Sequence, residues 1–353
     1  MLDRICSWIP SHLEGRRGTL IYHWDADGAA SAALALRALE APWRLEIPRI
    51  GLYSSAALPV EVEGKVLVLD YGIPGREYDS YASLVGADRL GVADHHKVEP
   101  PSSVEKYCNP VAAGLGGEDE YPACSLLVGR ILFKDPGPIE RQLMALGIIG
   151  DLAPFLDSNR PHPAIEIARR LVEGTGYTLL DLREAVDLVD SSYRVLDYNC
   201  LRSAARILAE EGLEGLYSLG CARSNREKAE RIVEGALSRL ERAYSGPLLD
   251  VYTLVYDAYV TSAIGRRLAS SAPQKIVALV HTMPQSGVTF AYIRSVSRDL
   301  APVRRALEES GYRVGGKSHV IVVEASPSDA QELVARLVDI ISRRLGGSAG
   351  RSA

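Results

Sequence analysis

The chain has 353 residues, 47% of them hydrophobic and 24% charged, proportions that exclude a disordered or fibrous protein and leave room for two globular domains with a buried core. Its net charge of -5 excludes a basic protein that coats duplex nucleic acid. The charge is divided, however: residues 260–318 carry nine Lys or Arg against three acids, a net of +6, and the remainder carries -11, so an anionic ligand is expected to find its cations in the second half.

Five cysteines (Cys6, Cys108, Cys124, Cys200 and Cys221) are odd in number, scattered and without Cys-x-x-Cys spacing, so neither a disulfide framework nor a zinc ribbon is expected. Residues 1–18 mix Asp3, Arg4, Glu14, Arg16 and Arg17 with few apolar residues and lack a signal-peptide core. No charge-free apolar run reaches bilayer length, so no membrane association and a cytoplasmic location are expected. Only seven of the 40 basic residues are Lys, which fits genome composition or a hot habitat.

In chain order, residues 1–18 read as a short amphipathic lead-in. Thr19 to Tyr22 reads as a buried strand running into His23-Trp24-Asp25-Ala26-Asp27-Gly28, and Ala29 to Glu40, rich in Ala and Leu, as a helix able to sit close to a sheet. On extended backbone, residues i, i+2 and i+4 point to one side, so His23, Asp25 and Asp27 are expected to converge; the bland alternative is an Asx-turn in which Asp27 caps the helix. Lys65 to Leu69 is a second strand, ending in Asp70 and followed by the turn Tyr71-Gly72-Ile73-Pro74-Gly75. Val85 to Val92 leads into Ala93-Asp94-His95-His96-Lys97, where each polar group needs a partner if buried. Continuous apolar strands separated by helices indicate a mostly parallel α/β sheet, whose ligands bind beyond the carboxyl ends of the strands.

A loop rich in Gly and Pro is expected over 100–117, then helices over 124–133 and 139–150, the second ending at Asp151-Leu152-Ala153-Pro154. Further helices are expected over 164–173, 180–188, 200–211 and 225–244, the last a charged connector broken by Ser245-Gly246-Pro247. A second α/β unit follows, with strands over 249–255, 276–281, 289–295 and 320–324, helices over 303–310 and 328–344, and a flexible tail over 346–353.

His23-x-Asp25-x-Asp27-Gly28, Asp70 at a strand end, Asp94-His95-His96 and Gly147-Ile148-Ile149-Gly150-Asp151, in this order, resemble the four motifs of the DHH phosphoesterase superfamily. That superfamily includes single-strand exonucleases of the RecJ type, nanoRNases, phosphoadenosine-phosphate phosphatases, cyclic-dinucleotide phosphodiesterases and family II inorganic pyrophosphatases. Tyr292-Ile293-Arg294-Ser295 and Gly315-Gly316-Lys317-Ser318-His319 resemble the family's associated substrate-binding (DHHA1) domain, with its Arg-Ser strand and Gly-Gly-rich loop near a His. In the usual loop the His directly follows three glycines, whereas Lys317 and Ser318 intervene here. The basic Ser-Arg-Lys-Lys run of the pyrophosphatases is missing, which argues against that branch.

The resemblance implies a DHH catalytic domain over 1–190 with a mostly parallel sheet flanked by helices, a helical connector over 191–245, a smaller DHHA1-like α/β domain over 246–345, and the tail. Carboxylates and imidazoles without thiolates suit Mn²⁺, with Mg²⁺ or Co²⁺ as alternatives, and their number exceeds what one ion needs. By resemblance, Asp70 bridges two ions, with His23 and Asp25 favouring one and Asp27, His95 and Asp151 the other. Asp94 orients His95 or ligates, and His96 binds phosphate or protonates the leaving oxygen, so Asp70, Asp94 and His96 form the expected catalytic set. In the second domain Arg294 is expected to grip phosphate, Lys317 with the Gly315 and Gly316 amides to form an anion nest, and Ser295, Arg298 and His319 to assist.

The expected activity is a Mn²⁺-dependent phosphodiesterase acting on single-stranded or short RNA or DNA. The alternatives are an enzyme for small nucleotides, such as phosphoadenosine phosphate or a cyclic dinucleotide, and a scaffold that docks a replication or repair protein. Few aromatic residues besides Tyr292 and Tyr312 lie near the second-domain loop, so no extended base-stacking platform is expected there, and 353 residues leave no room for an added nucleic-acid module; both favour short substrates. Gly311 to Ser318 also fits the phosphate-loop pattern G-x-x-x-x-G-K-S, but that pattern needs a strand before it and a helix after it, and the expected order here is the reverse.

Overall fold

A computed structural model describes residues 2–14, 17–39, 41, 43–156 and 162–345. The first half runs α1 (Leu2–Cys6), α2 (Trp8–Leu13), β1 (Gly18–Tyr22), α3 (Ala26–Ala38), β2 (Arg44–Glu46), β3 (Lys65–Leu69), α4 (Gly75–Val85), β4 (Leu90–Ala93), β5 (Lys106–Cys108), α5 (Cys124–Leu132) and α6 (Pro138–Leu156). Helices α7 (Pro163–Val172), α8 (Leu179–Arg194), α9 (Tyr198–Ser218) and α10 (Gly220–Leu237) follow. The rest is β6 (Glu241–Ser245), β7 (Leu249–Val255), α11 (Thr261–Ser271), β8 (Ile276–Met283), β9 (Val288–Ser295), α12 (Ala301–Glu309), β10 (Arg313–Lys317), β11 (Val320–Ala325) and α13 (Ala330–Leu345). The expected tail over 346–353 lies outside the described residues. The chain divides into two compact units, one holding the described residues up to Ala153 and from His162 to Lys228, the other holding the rest.

Among its described residues the first unit contains a five-stranded parallel sheet in the order β2-β1-β3-β4-β5. Apart from Lys65 at the start of β3, its central strands are largely apolar and buried, as strands covered on both faces must be. After β2 the chain crosses back to place β3 on the other side of β1, and this reversal opens a crevice between the carboxyl ends of β1 and β3. Helix α3, with Ala29, Ala30, Ala32 and Ala33 fully buried, packs on β1 and β3 and against α5 and α9; small side chains allow that close approach. Strands β2 and β5 escape the apolar pattern because each has three residues, and β5 lies within the stretch expected to be loop. Helix α4, which follows the Pro74 turn, has no counterpart among the expected elements.

The second unit has a six-stranded sheet, β10-β11-β9-β8-β7-β6, in which only β7 and β8 pair in parallel among the described strands. Alternate residues of β7 serve opposite faces, Leu249 and Val251 with α12 and α13, Tyr252 and Leu254 with α11 and the end of α10. The helix expected over 225–244 stops at Leu237, and Glu241–Ser245 is instead the edge strand of this sheet. Its charged, exposed residues read as a helix surface in the sequence, and they also guard a sheet edge against unwanted pairing. Gly315 and Gly316 are likewise in strand β10, opposite Val322 and Ile321, rather than in a loop. The phosphate-loop match therefore has a strand, β11, where a helix would be required.

The cysteines depart most from expectation. Cys6 is bonded to Cys108 and Cys200 to Cys221, leaving Cys124 as a buried free thiol. The first pair is 102 residues apart in sequence and meets because α1 lies against β5, a juxtaposition that cysteine spacing cannot reveal. Among the described residues no helix is long and apolar enough to cross a membrane.

Beneath the sheet, His12 of α2 is 2% exposed. Its Nε2–H donates to the Val66 carbonyl at 3.0 Å, and Trp8 and Trp43 flank the ring edge-on. Burial above all, with Lys65 and Lys106 adding to it, lowers the imidazole pKa to about 4. The folded state thus disfavours a proton that the unfolded chain takes up below about pH 6.5, so stability present at neutral pH is lost as pH falls from there towards 4. On going from pH 7 to pH 4.5, urea denaturation should show the wild type losing about 2–3 kcal/mol more than His12→Gln; equal losses would contradict a neutral buried His12.

Candidate metal centre

Strand β1 ends at Tyr22, and the His23 amide still donates to the Leu69 carbonyl at 3.2 Å. Asp25 then caps α3, its carboxylate accepting from the Gly28 amide at 3.0 Å, and Asp27 lies in the first helical turn. The convergence expected from extended alternation is therefore corrected: a strand-to-helix turn separates the three, leaving His23 and Asp25 together and Asp27 apart. Gly28 is required here, since a Cβ on it would lie 2.1 Å from the His23 carbonyl oxygen. Asp27 accepts from the Cys124 amide at 2.7 Å and the Ser125 amide at 2.9 Å, where α5 begins, a placement that the helix dipole favours for an anion. Asp190 of α8 fastens the same turn by accepting from the Ala26 amide at 3.2 Å, and Arg194 lies 3.4 Å from its other oxygen.

Asp70 directly follows β3 and donates its amide to the Ala93 carbonyl at 3.0 Å. Its φ is 59° and its exposure 2%; aspartate tolerates this left-handed backbone better than most residues do. One carboxylate oxygen is 3.9 Å from His23 Nδ1, and the other is 3.3 Å from His95 Nε2 and 4.0 Å from His96 Nδ1. Asp70 thus stands between two sets of side chains.

The residues after β4 divide their labour differently from expectation. His95 Nδ1 lies 3.0 Å from the Tyr121 carbonyl oxygen, which accepts only, so Nδ1 carries the proton and Nε2 presents a lone pair. Around that Nε2 stand Asp27 at 3.5 Å, Asp70 at 3.3 Å and Asp151 at 3.5 Å. Asp94 orients His96 rather than His95, with Oδ1 2.8 Å from His96 Nδ1. Burial opposes ionisation of Asp94, yet the neighbouring imidazoles, His96 foremost, outweigh it and hold the carboxyl below its usual range. Asn109, buried at the end of β5, donates to the His96 carbonyl at 2.9 Å and accepts from the Ala112 amide at 2.9 Å.

Asp151 reaches the site from within α6, which continues past Gly150 to Leu156 instead of ending at Asp151. A Cβ on Gly147 would lie 2.1 Å from Asp27 Oδ1 and 2.0 Å from Ser125 Oγ, so the glycine is what lets α6 lie over Asp27. Three groups of ligand atoms result, each spanning no more than 4.8 Å: His23, Asp25 and Asp70; Asp27, His95 and Asp151; and Asp70, His95 and His96. His23 Nδ1 and Asp25 Oδ2 are 2.8 Å apart, yet among the described residues this buried nitrogen makes no hydrogen bond, as expected of two donors aimed at one ion. Oxygen and imidazole donors fit Mn²⁺ or Mg²⁺. Cys124, whose thiol donates to the Ala93 carbonyl at 3.3 Å, belongs to none of the three groups.

In the second unit, Arg294 is 3% exposed and donates to the Tyr292 hydroxyl at 2.7 Å. The Ser295 hydroxyl accepts from the Ser297 and Arg298 amides, shaping the turn after β9, and its own amide donates to the His319 carbonyl at 3.1 Å. Ser318 and His319 form the two-residue turn between β10 and β11. Arg294, Ser295, Lys317 and His319 are thereby gathered at one end of the sheet, while Arg298 is exposed. Gly315 and Gly316 belong to the ladder, so the nest expected from their amides is not formed. Asn109, Asp190 and the Tyr121 carbonyl had no signal in the sequence beyond turn or helix composition.

No protein-family model matches the sequence, and no curated protein does. Solved structures do. The DHH domain of a member of the s1p family of ribosomal proteins is 15% identical with a TM-score of 0.69, covering 96% of this chain and 90% of that one. RecJ from Thermus thermophilus in complex with Mn²⁺ is 18% identical with a TM-score of 0.67, covering 97% of this chain and 55% of that one. An exonuclease RecJ bound to manganese is 20% identical with a TM-score of 0.60, covering 97% and 94%. The chain therefore has the DHH/RecJ-like fold, and it spans little more than half the length of the Thermus thermophilus protein.

Two glycines of α6 make contrasting probes. Gly147→Ala should destabilise by about 1–3 kcal/mol through overpacking and weaken Mn²⁺ binding at the Asp27 group. At Gly150 the nearest contact of an added Cβ is 3.2 Å, to Ala26 Cβ, so Gly150→Ala should do less of both. Thermal melts and calorimetric Mn²⁺ titrations measure the difference, and equal behaviour would refute the role given to Gly147.

Proposed function

We propose that the chain is a phosphoesterase dependent on two divalent ions, Mn²⁺ foremost, that hydrolyses phosphodiester bonds in single-stranded or short RNA or DNA. The observation that carries this reading is that one carboxylate oxygen of Asp70 lies 3.9 Å from His23 Nδ1 and the other 3.3 Å from His95 Nε2, so that the residue belongs to two groups of side chains able to hold a metal. His23, Asp25 and Asp70 would hold one ion, and Asp27, His95 and Asp151 with Asp70 the other. RecJ proteins of similar fold have been solved with Mn²⁺ and with Mg²⁺. When bound, such a pair of ions lowers the pKa of water and neutralises charge at phosphorus.

The side chains divide the remaining work. The Tyr121 carbonyl keeps His95 in the tautomer that can ligate, and Asp190 and the α5 amides keep the turn at Asp25 and Asp27 in place. Asp94 binds Nδ1–H of His96 and would stabilise the imidazolium, leaving Nε2 to hold a phosphate oxygen or to protonate the leaving oxygen. Arg294, Lys317 and His319, with Ser295 shaping the adjacent turn, would bind the anionic substrate, assisted by the exposed Arg298.

The test is hydrolysis with Mn²⁺ of end-labelled RNA and DNA ladders, a bisphosphorylated adenosine nucleotide and a cyclic dinucleotide. Stepwise degradation of a ladder is expected, and activity confined to the small nucleotides would reassign the substrate. Asp70→Asn should lose several kcal/mol of transition-state stabilisation, on the order of 1000-fold in kcat; unchanged hydrolysis would refute the two-ion reading. Arg294→Ala should raise KM roughly tenfold or more without changing the amount of Mn²⁺ bound, and loss of metal in that variant would contradict its role.

A further inference from the structure

Beside the His23 group lies an aromatic cluster that the proposed hydrolysis does not use. Trp24 is buried between the ligands His23 and Asp25, its ring 4.3 Å from the His23 imidazole and edge-on to both Tyr53, at 5.4 Å, and Tyr71, at 6.2 Å. Tyr71 directly follows Asp70, is fully buried, and donates its hydroxyl to the Leu52 carbonyl at 2.5 Å. Tyr53 lies nearly parallel to Tyr71, at 11° and 6.1 Å between centroids, yet it is 44% exposed. Its hydroxyl stands 3.4 Å from His23 Nε2.

The segment that carries Tyr53 is anchored on both sides. The Ile50 amide donates to the Tyr198 hydroxyl at 3.0 Å, and the Ser55 amide and hydroxyl donate to Glu77 at 2.8 and 2.7 Å. A part-exposed tyrosine held by two buried rings and a fastened loop, beside a group of candidate metal ligands, is a surface prepared before any ligand arrives. Metal ligation needs none of these rings. A nucleobase offers the matching flat π-face, and stacking of this kind tolerates any base.

Resting on the phosphoesterase reading, we propose that Tyr53 is a stacking platform for the nucleobase of the nucleotide whose phosphate enters the candidate metal centre, so that the chain selects nucleotide phosphodiesters over those lacking a base. The side chain's contribution is its ring, and the base identity is not read.

The experiment compares a pentanucleotide with its fully abasic counterpart, using the full chain with Mn²⁺. Tyr53→Ala and Tyr53→Leu should raise KM for the pentanucleotide about 5- to 100-fold and leave the abasic substrate unchanged, while Tyr53→Phe behaves as wild type. Tyr53→Leu keeps apolar bulk, so it separates loss of the π-face from loss of packing. Equal losses on both substrates, shared by Tyr53→Phe, would overturn the platform in favour of a hydroxyl acting on His23, and no loss in any variant would overturn it outright. A wild type that binds Mn²⁺ but hydrolyses neither substrate refutes the phosphoesterase reading instead. The platform then stands or falls on fluorescence anisotropy, where preference for the base-bearing strand supports it and equal affinity overturns it.

Discussion

The candidate site depends on how the central strand of the first sheet ends. Strand β3 delivers the backbone to Asp70, whose amide completes the ladder with Ala93 and whose φ of 59° then turns the chain away from the sheet. A left-handed residue other than glycine is held against its preference by the surrounding structure, and here that conformation leaves the carboxylate between His23 on one side and His95 on the other. Because the sheet reverses its strand order between β1 and β3, the crevice that Asp70 faces is one the fold supplies in any case. The candidate ligands that follow β1 and β4, with Asp151 of α6, complete it.

Three of the candidate ligands, and His96 beside them, are each fixed by a partner outside the candidate metal-binding set. Asp25 is held by the Gly28 amide, Asp27 by two amides of α5, His95 by the Tyr121 carbonyl, and His96 by Asp94. Such outer partners determine which atom of each side chain would face an ion and which hydrogen-bonds away from it. Close approach matters as much as bonding: Gly147 lets α6 pass over Asp27, so this glycine of the fourth motif is explained by packing and the motif's aspartate by chemistry.

Much of this is legible in the sequence. Apolar runs that end in acids and imidazoles mark buried parallel strands with polar carboxyl ends, and the period-two and helical patterns locate most elements of both units. What escapes has physical reasons. Strand β5 is too short to show a pattern, and β6 is an exposed edge whose charges resemble a helix surface. The pairing of Cys6 with Cys108 depends on tertiary proximity across 102 residues. The clustering of Trp24, Tyr53 and Tyr71 is equally hidden, because Tyr53 lies far along the chain from His23 and shows no pattern that ties it there. Asp94 holds His96 and not its immediate neighbour, because adjacency in sequence does not say that a backbone carbonyl already holds His95.

In the proposed reading Asp70 bridges two ions. Anomalous X-ray diffraction from crystals of the full chain soaked in Mn²⁺ tests it most directly. Two peaks about 3.5–4 Å apart are predicted, one beside His23 and Asp25, the other beside Asp27, His95 and Asp151, with Asp70 touching both. A single peak, or two peaks neither of which is shared by Asp70, would contradict it.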